Sequence, residues 1–170
     1  NSLGGQAVGL SGKDANLIVA KKTEPGGADL GCVGEVIDVN PQILNLLTEK
    51  GYIPVISSIG SGPNGETFNM NADHVAGELA ARVGPLIMLT DVKGVYDDKN
   101  DESTLRSTLT VEEAQEMISS GKVDKGMIPK VEACITAVRN AANSKLGYAH
   151  IIDGSEPHAL IMEIFTDKGI

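Results

Sequence analysis

Short continuous apolar runs alternate along this chain with stretches whose apolar residues recur every three or four positions. YIPVISSI at 52–59 and LIMLTDV at 86–92 are unbroken apolar runs of strand length, the pattern of strands buried on both faces. AVGLSG and NLIVAKK flank KDA and read as a hairpin over 7–22. Residues 31–39 and YAHIID at 148–153 are further extended segments. Between them lie helical patterns. One is opened by Pro41 and closed by Gly51, the expected helix punctuation. A second starts at Asn71 as N-cap, repeats Val75, Leu79 and Val83, and ends at Gly84. Thr110 and Glu113 have capping-box spacing for a third. A fourth carries Pro129 in its first turn with Ile135 and Val138 on one face, and PHALIMEIF at 157–165 is the last. Strands alternating with amphipathic helices predict an α/β fold with a largely parallel sheet covered on both sides. Ligands of such sheets sit at the carboxyl ends of the strands.

Composition narrows this picture. A chain of 170 residues suffices for one domain with a core of its own. Aromatic residues are only 3%, so that core must be built from Val, Ile, Leu, Ala and Met. The net charge of -9 shows no basic face, which argues against nucleic acid as a partner. An anionic ligand would have to be met by a few placed lysines and backbone N–H groups. Cys32 and Cys134 lie far apart without metal-site spacing and are expected to be two buried, reduced thiols. No apolar stretch reaches membrane-span length and no signal-peptide pattern is present, so no membrane partner is expected. The acidic stretch 97–104 reads as an exposed loop. Asn1 starts close to a strand pattern and Ile170 ends without a polar tail, the expectation for a piece of a longer protein.

Residues 60–65, GSGPNG, fit G-x-G-x-x-G behind a strand. A dinucleotide loop needs its last glycine to open a helix, whereas Gly65 runs into the extended ETFNM, and Pro63 lacks an N–H. A glycine-rich turn is the expectation. GLSGKDAN holds a Gly-Lys pair, but Ala7 and Asp14 stand where a P-loop needs Gly and Ser or Thr. In FNMNAD, Asn69 and Asn71 share a face if extended, at a helix mouth, with Asp73 in the first turn. Two amides can hold a carboxylate, and an Asp can orient lysines. Plain capping by Asn71 and dipole complement by Asp73 explain the pattern equally well. Lys130 falls in the first turn of its helix, where a cation opposes the dipole, so either an anion enters there or the lysine is solvated. Thr90, Asp91 and Lys93 at a strand end could meet a nucleotide or form a plain exit. His74, His150 and His158 have no nucleophile partner and read as structural.

Taken together, AVGLSGKDANLI, DLGCVGEV, GYIPVISSIG, FNMNADHVAGELAA, LIMLTDVKGVY, GMIPKVEACITAV and AHIIDGSEPHALIMEIFTDKGI resemble the acetylglutamate kinases of the amino acid kinase family, in that family's order and over nearly the whole chain. The resemblance implies a three-layer αβα sandwich with a mainly parallel sheet. It implies transfer of the γ-phosphoryl group of ATP, with Mg2+ held mainly by the nucleotide, to the side-chain carboxylate of N-acetyl-L-glutamate in arginine biosynthesis. By the same resemblance Lys130 stabilises the transferring phosphoryl group and Asp73 organises the catalytic lysines. Asn69, with Asn71, binds acetylglutamate. Thr90, Asp91, Val92, Lys93, Gly94, Val95 and Tyr96 meet the nucleotide, together with Gly126 and Met127. No protein-held metal site is implied. Residues 1–50 correspond to a substrate-side hairpin and helix, and 51–170 to the nucleotide-binding portion.

The family's amino-terminal half, with a further catalytic Lys, a glycine-rich turn and an Arg for the substrate's α-carboxylate, has no counterpart here, so these residues alone are expected to be inactive. Ser155 stands where the family has Arg, Lys125 where it has Gly, and NSKL at 143–146 looks inserted. Arginine-inhibited members imply an effector site matched by His150, Glu163 and Gly169, with Glu163 otherwise an exposed helix residue. A homo-oligomer, a cytoplasmic location (plastid stroma in a plant or alga) and a PII-type signalling partner are further implications. The competing readings are another amino acid kinase, such as glutamate 5-kinase or carbamate kinase, and a non-catalytic nucleotide- or arginine-binding module. A nicotinamide-dependent oxidoreductase rests on the glycine match alone.

Overall fold

The computed structural model describes residues 1–142 and 147–166. In chain order these form β1 (Ala7–Ser11), β2 (Ile18–Lys22), β3 (Gly34–Val39), α1 (Gln42–Glu49), β4 (Ile53–Ser57), β5 (Ile59–Ser61) and β6 (Thr67–Asn69). There follow α2 (Ala72–Val83), β7 (Leu86–Thr90), α3 (Val111–Ser119), α4 (Ile128–Arg139), β8 (Ala149–Asp153) and α5 (Ala159–Phe165). NSKL and Gly169 lie outside the described residues.

The predicted parallel pairings are present: β1 runs parallel to β4, and β7 to β8. They do not join one sheet among the described residues. A separate mixed sheet of order β3-β2-β5-β6 stands between them in sequence. The expected hairpin over 7–22 is therefore wrong. β2 instead pairs antiparallel with β3 across the long loop 23–33, while β1 pairs with β4 and, among the described residues, with no other strand. The KDA segment does not reverse the chain. It forms a tight turn with Ala15 and Asn16 at φ 53° and 52° that carries β2 into the other sheet. The driving force is burial, since Leu17, Ile18 and Ala20 have no exposed surface there.

The run 52–59 is also divided. It supplies β4 and then β5, which belong to different sheets. β4 is not covered on both faces, because Ile53 and Val55 are more than half exposed while Pro54 and Ile56 point inward. α1 packs against it from one side. Helix punctuation follows the sequence closely. Asn71 caps α2, and the Thr110–Glu113 capping box is complete. Gly65 leads into β6, which pairs back on β5, so GSGPNG is a hairpin turn and not a dinucleotide loop. Of the two thiols expected to be buried, Cys32 is exposed, because it lies in the irregular loop ahead of β3.

Three apolar clusters hold the structure. One joins β2, β3, α1 and the start of α2, and a second packs α2 and α4 on β7 and β8. The third gathers Val95, Ala114, Met117, Val123 and Val131 beneath α3 and α4.

Candidate active site

The site is set by two helices that start side by side. Contacts between α2 and α4 ascend together in sequence: Gly77 meets Ala133, and Ala80 shares a cluster with Ala133 and Ala137. The helices are therefore parallel and their N-termini adjacent. The approach is close, because a Cβ on Gly77 would lie 2.7 Å from the Ala133 carbonyl oxygen. Only glycine permits this spacing.

At the shared N-terminal end, Lys130 Nζ lies 3.0 Å from Asp73 Oδ2, across 57 residues of sequence, with both side chains about three-quarters buried. Asn71 Oδ1 accepts the N–H groups of Asp73 at 2.8 Å and His74 at 3.2 Å, which fixes the turn that aims Asp73. On the other helix, Asp124 Oδ1 accepts from Gly126 at 2.8 Å and Met127 at 3.1 Å, shaping the entry to α4. Asp73 neutralises the lysine in place, but two helix N-termini each contribute about half a positive charge. The sum favours an anion.

The predicted residues distribute around this pair. Asn69 ends β6, donates its backbone N–H to Cys32 O at 2.8 Å, and keeps its side chain exposed. Asn71 is committed to capping, so the capping alternative accounts for its position. The β7 exit is built by Thr90, whose hydroxyl donates to Val92 O at 2.7 Å and accepts the Val92 N–H at 3.1 Å. Asp91 is exposed, Lys93 reaches Glu102 at 3.5 Å, and Tyr96 bridges Leu105. Val95 shares a cluster with Val123, Met127, Ile128 and Val131, which brings this exit to the start of α4. Both proposed nucleotide segments thus meet on one core.

His150 and Glu163 are in close contact, and the Glu163 side chain is 7% exposed, which overturns the view of Glu163 as an exposed helix residue. The pair lines a cleft of about 720 Å³ with Lys93 and Tyr148. His74 likewise has an acidic partner, Glu132, at 3.4 Å. Cys134, one helical turn beyond Lys130, is half-buried. Burial first, and then the Asp73 charge, push its thiol up to about 12. Hydrogen bonds from the Ser155 hydroxyl and N–H hold the Asp153 carboxyl below the usual range.

Sequence reasoning missed the Lys13–Thr67 contact, in which Lys13 Nζ donates to Thr67 Oγ1 at 2.6 Å. The Gly-Lys pair at 12–13 is the sequence signal for it. It also missed the Arg106 guanidinium bridging Asp97 at 3.3 Å and Glu113 at 2.9 Å. No sequence spacing announces that clamp.

The model of the amino acid kinase family matches residues 1–147. A curated acetylglutamate kinase of Desulforamulus reducens is 49% identical over 173 residues, covering all of this chain and 59% of its own length. That of Halothermothrix orenii is 52% identical over 174 residues, with the same coverage. Among solved structures, that of smu.665 from Streptococcus mutans UA159 matches with a TM-score of 0.74 at 27% identity, over 89% of this chain and 59% of the other. The chain spans somewhat over half the length of the curated relatives it matches. The family match extends over most of its residues, and the chain belongs to the amino acid kinase family.

Proposed function

We propose that the protein carrying this chain phosphorylates the side-chain carboxylate of N-acetyl-L-glutamate with ATP, giving N-acetylglutamyl 5-phosphate for arginine biosynthesis. The observation that carries the reading is the Lys130–Asp73 pair at two adjoining helix N-termini. An acceptor carboxylate oxygen forms a bond to the γ-phosphorus, the bond to the β,γ-bridging oxygen breaks, and ADP leaves. Negative charge spreads over the transferring group, and catalysis is positioning plus charge stabilisation. Lys130 supplies a cation for that charge, and Asp73 orients the lysine. The exposed Asn69 amide is assigned to the acceptor, and Thr90 to Tyr96 with Gly126 and Met127 to the nucleotide. Among the described residues no group of three or more His, Cys, Asp or Glu could hold a metal. Mg2+ is assigned mainly to the nucleotide, as the likeness to the kinase family implies.

Turnover is assigned to the whole cytoplasmic protein, not to these 170 residues alone. The test incubates the complete protein with ATP, Mg2+, N-acetylglutamate and hydroxylamine, which traps an acyl phosphate as its hydroxamate. Hydroxamate formation that requires both substrates is the expected result. ATP consumption indifferent to N-acetylglutamate would overturn the reading.

The cleft at His150 and Glu163 supports an arginine effector site, because a buried carboxylate suits a guanidinium fork. Loss of arginine inhibition in Glu163→Gln is the expected outcome. Self-association and docking of a PII-type signalling protein are further assignments, both readable by light scattering of the complete protein with and without that partner.

A further inference from the structure

Glu113, Arg106, Asp97 and Lys122 form a continuous chain of charged contacts that the reading above does not use. Arg106 Nη2 donates to Glu113 Oε1 at 2.9 Å, and Nη1 donates to Asp97 Oδ2 at 3.3 Å. The second Asp97 oxygen, Oδ1, lies 3.6 Å from Lys122 Nζ. The second Glu113 oxygen, Oε2, accepts the Thr110 N–H at 2.8 Å and so completes the capping box of α3. Each carboxylate oxygen in the chain thus has its own partner.

The segments that these residues join are the two assigned to the nucleotide. Asp97 directly follows Tyr96, the end of the first. Arg106 donates its backbone N–H to Val95 O at 2.9 Å, and Asp97 donates its own to Thr104 O at 3.1 Å, on either side of the Tyr96–Leu105 bridge. Leu105 also closes over Gly94, since a Cβ there would lie 3.1 Å from Leu105 Cδ1. Residues 104–106 therefore back the first nucleotide segment, and the Arg106 guanidinium fastens that backing to the start of α3. Lys122 stands just past α3, four residues before Gly126 of the second segment, with its N–H on Met117 O at 3.0 Å. Beneath the charged chain, Val95 and Val123 share an apolar cluster with Met127. Apolar burial is non-directional, whereas a guanidinium gripping two carboxylates fixes angle and distance. The cluster brings the two segments together, and the charged chain sets their spacing.

We propose that the Glu113–Arg106–Asp97–Lys122 chain holds the two nucleotide segments at the spacing that a bound adenine nucleotide requires, with Arg106 as the positioning residue. The inference rests on the assignment of those segments to the nucleotide. Among the described residues none of the four is paired with Lys130, Asp73 or Asn69, so the effect belongs to nucleotide affinity and not to the acceptor. All four side chains are partly exposed, and exposed ion pairs add little to overall stability. Without the chain, the segments hold the binding spacing only part of the time, and apparent affinity falls by that fraction.

The test is calorimetric binding of MgADP, with steady-state kinetics alongside, on the complete protein carrying Arg106→Met, Arg106→Lys or Glu113→Gln. Glutamine serves the capping box as well as glutamate, so Glu113→Gln removes the charge facing Arg106 and keeps the helix start. Arg106→Met should raise Kd for MgADP and KM for ATP about threefold to fivefold, the scale of a partly exposed ion-pair network. KM for N-acetylglutamate and kcat should not change. Glu113→Gln should show a smaller rise of the same kind. Arg106→Lys should recover part of the loss, because an ammonium lacks the fork that grips both carboxylates. Arg106→Met combined with Glu113→Gln should bind no more weakly than Arg106→Met alone, since both break one chain. Unchanged MgADP affinity in Arg106→Met overturns the proposal. An equal rise in both KM values beside a lowered melting temperature also overturns it, because that is the mark of a merely structural contact. If Arg106→Met fails to fold, Glu113→Gln decides by the same criteria. A wild type that binds MgADP but does not phosphorylate N-acetylglutamate overturns the kinase reading, while the MgADP constants still decide the proposal. A wild type that binds no MgADP overturns both.

Discussion

The molecule ties distant segments together with two polar pairs, each built on a carboxylate, in different settings. Lys130–Asp73 joins the first turns of α2 and α4, helices already locked by the Gly77–Ala133 approach and a shared alanine-rich core. His150–Glu163 joins β8 to α5, a seven-residue helix that starts from His158 in left-handed conformation without a side-chain cap. Leu160, Ile161, Ile164 and Phe165 of α5 are 42–78% exposed. In the first case packing fixes the geometry and leaves the charge free to act on a ligand. In the second, Glu163 reaches back to His150 from a helix that buries Ala159 but leaves most of its apolar residues exposed. A charged pair reads as chemistry where the scaffold does not need it for stability.

The largest expected effect tests that separation. Lys130→Ala in the complete protein should lower kcat by about 10²- to 10³-fold, the scale for losing one donor to developing charge. Its melting temperature should move little, since α2 and α4 are held by packing. A large fall in melting temperature with kcat preserved would place Lys130 with the tethers. Next in size, Gly77→Ala should cost about 1–3 kcal/mol by overpacking, despite the roughly 1 kcal/mol that alanine gains in helix propensity. Urea denaturation measures it. A stabilised variant would contradict the close approach that sets the two N-termini side by side.

The sequence carried the first region better than the second. Asn71, Thr110 and the glycine-marked ends announced the helices because capping is local chemistry. Lys130 stood out because it opposes its own helix dipole. That it meets Asp73 was named only through a family resemblance, since nothing in 57 intervening residues encodes the contact. Strand partners were the least legible. AVGLS and NLIVAKK look like hairpin arms, but the choice of β4 over β2 as the partner of β1 is made by tertiary burial, and a short apolar run carries no record of its neighbour. Cys32 was misplaced for the same reason: burial of a loop residue depends on what covers the loop. The His150–Glu163 pair came from resemblance alone, and its inward orientation depends on how α5 docks.

Cys134 probes the first pair from behind. Its thiol is pushed up to about 12 from an ordinary value of 9.0, by burial first and Asp73 second. Between those values the unfolded chain releases the proton and the folded chain keeps it, so stability falls as pH rises above about 9 and is unaffected below. The slope is at most about 1.4 kcal/mol per pH unit. Cys134→Ala should flatten that alkaline decline, and a thiol reagent at neutral pH should modify Cys32 well before Cys134. An alkaline decline of equal slope in Cys134→Ala would show that the thiol is not shielded behind the Lys130–Asp73 pair.

The smallest effect sharpens the second half of the comparison. Glu163→Gln keeps the shape of the side chain and a hydrogen-bonding group for His150 but removes the charge. The loss in stability should be about 0.5–1 kcal/mol, because the exchange replaces a charge-assisted hydrogen bond by a neutral one. The change should be local. Amide hydrogen exchange should quicken in α5 and at the β8 residues facing it, while α2 and α4 keep their protection. Uniform loss of protection would mean that α5 unfolds together with the α2–α4 core. Unchanged protection of α5 would show that the contact of Ala159 with the core, and not the contact with His150, holds the helix in place.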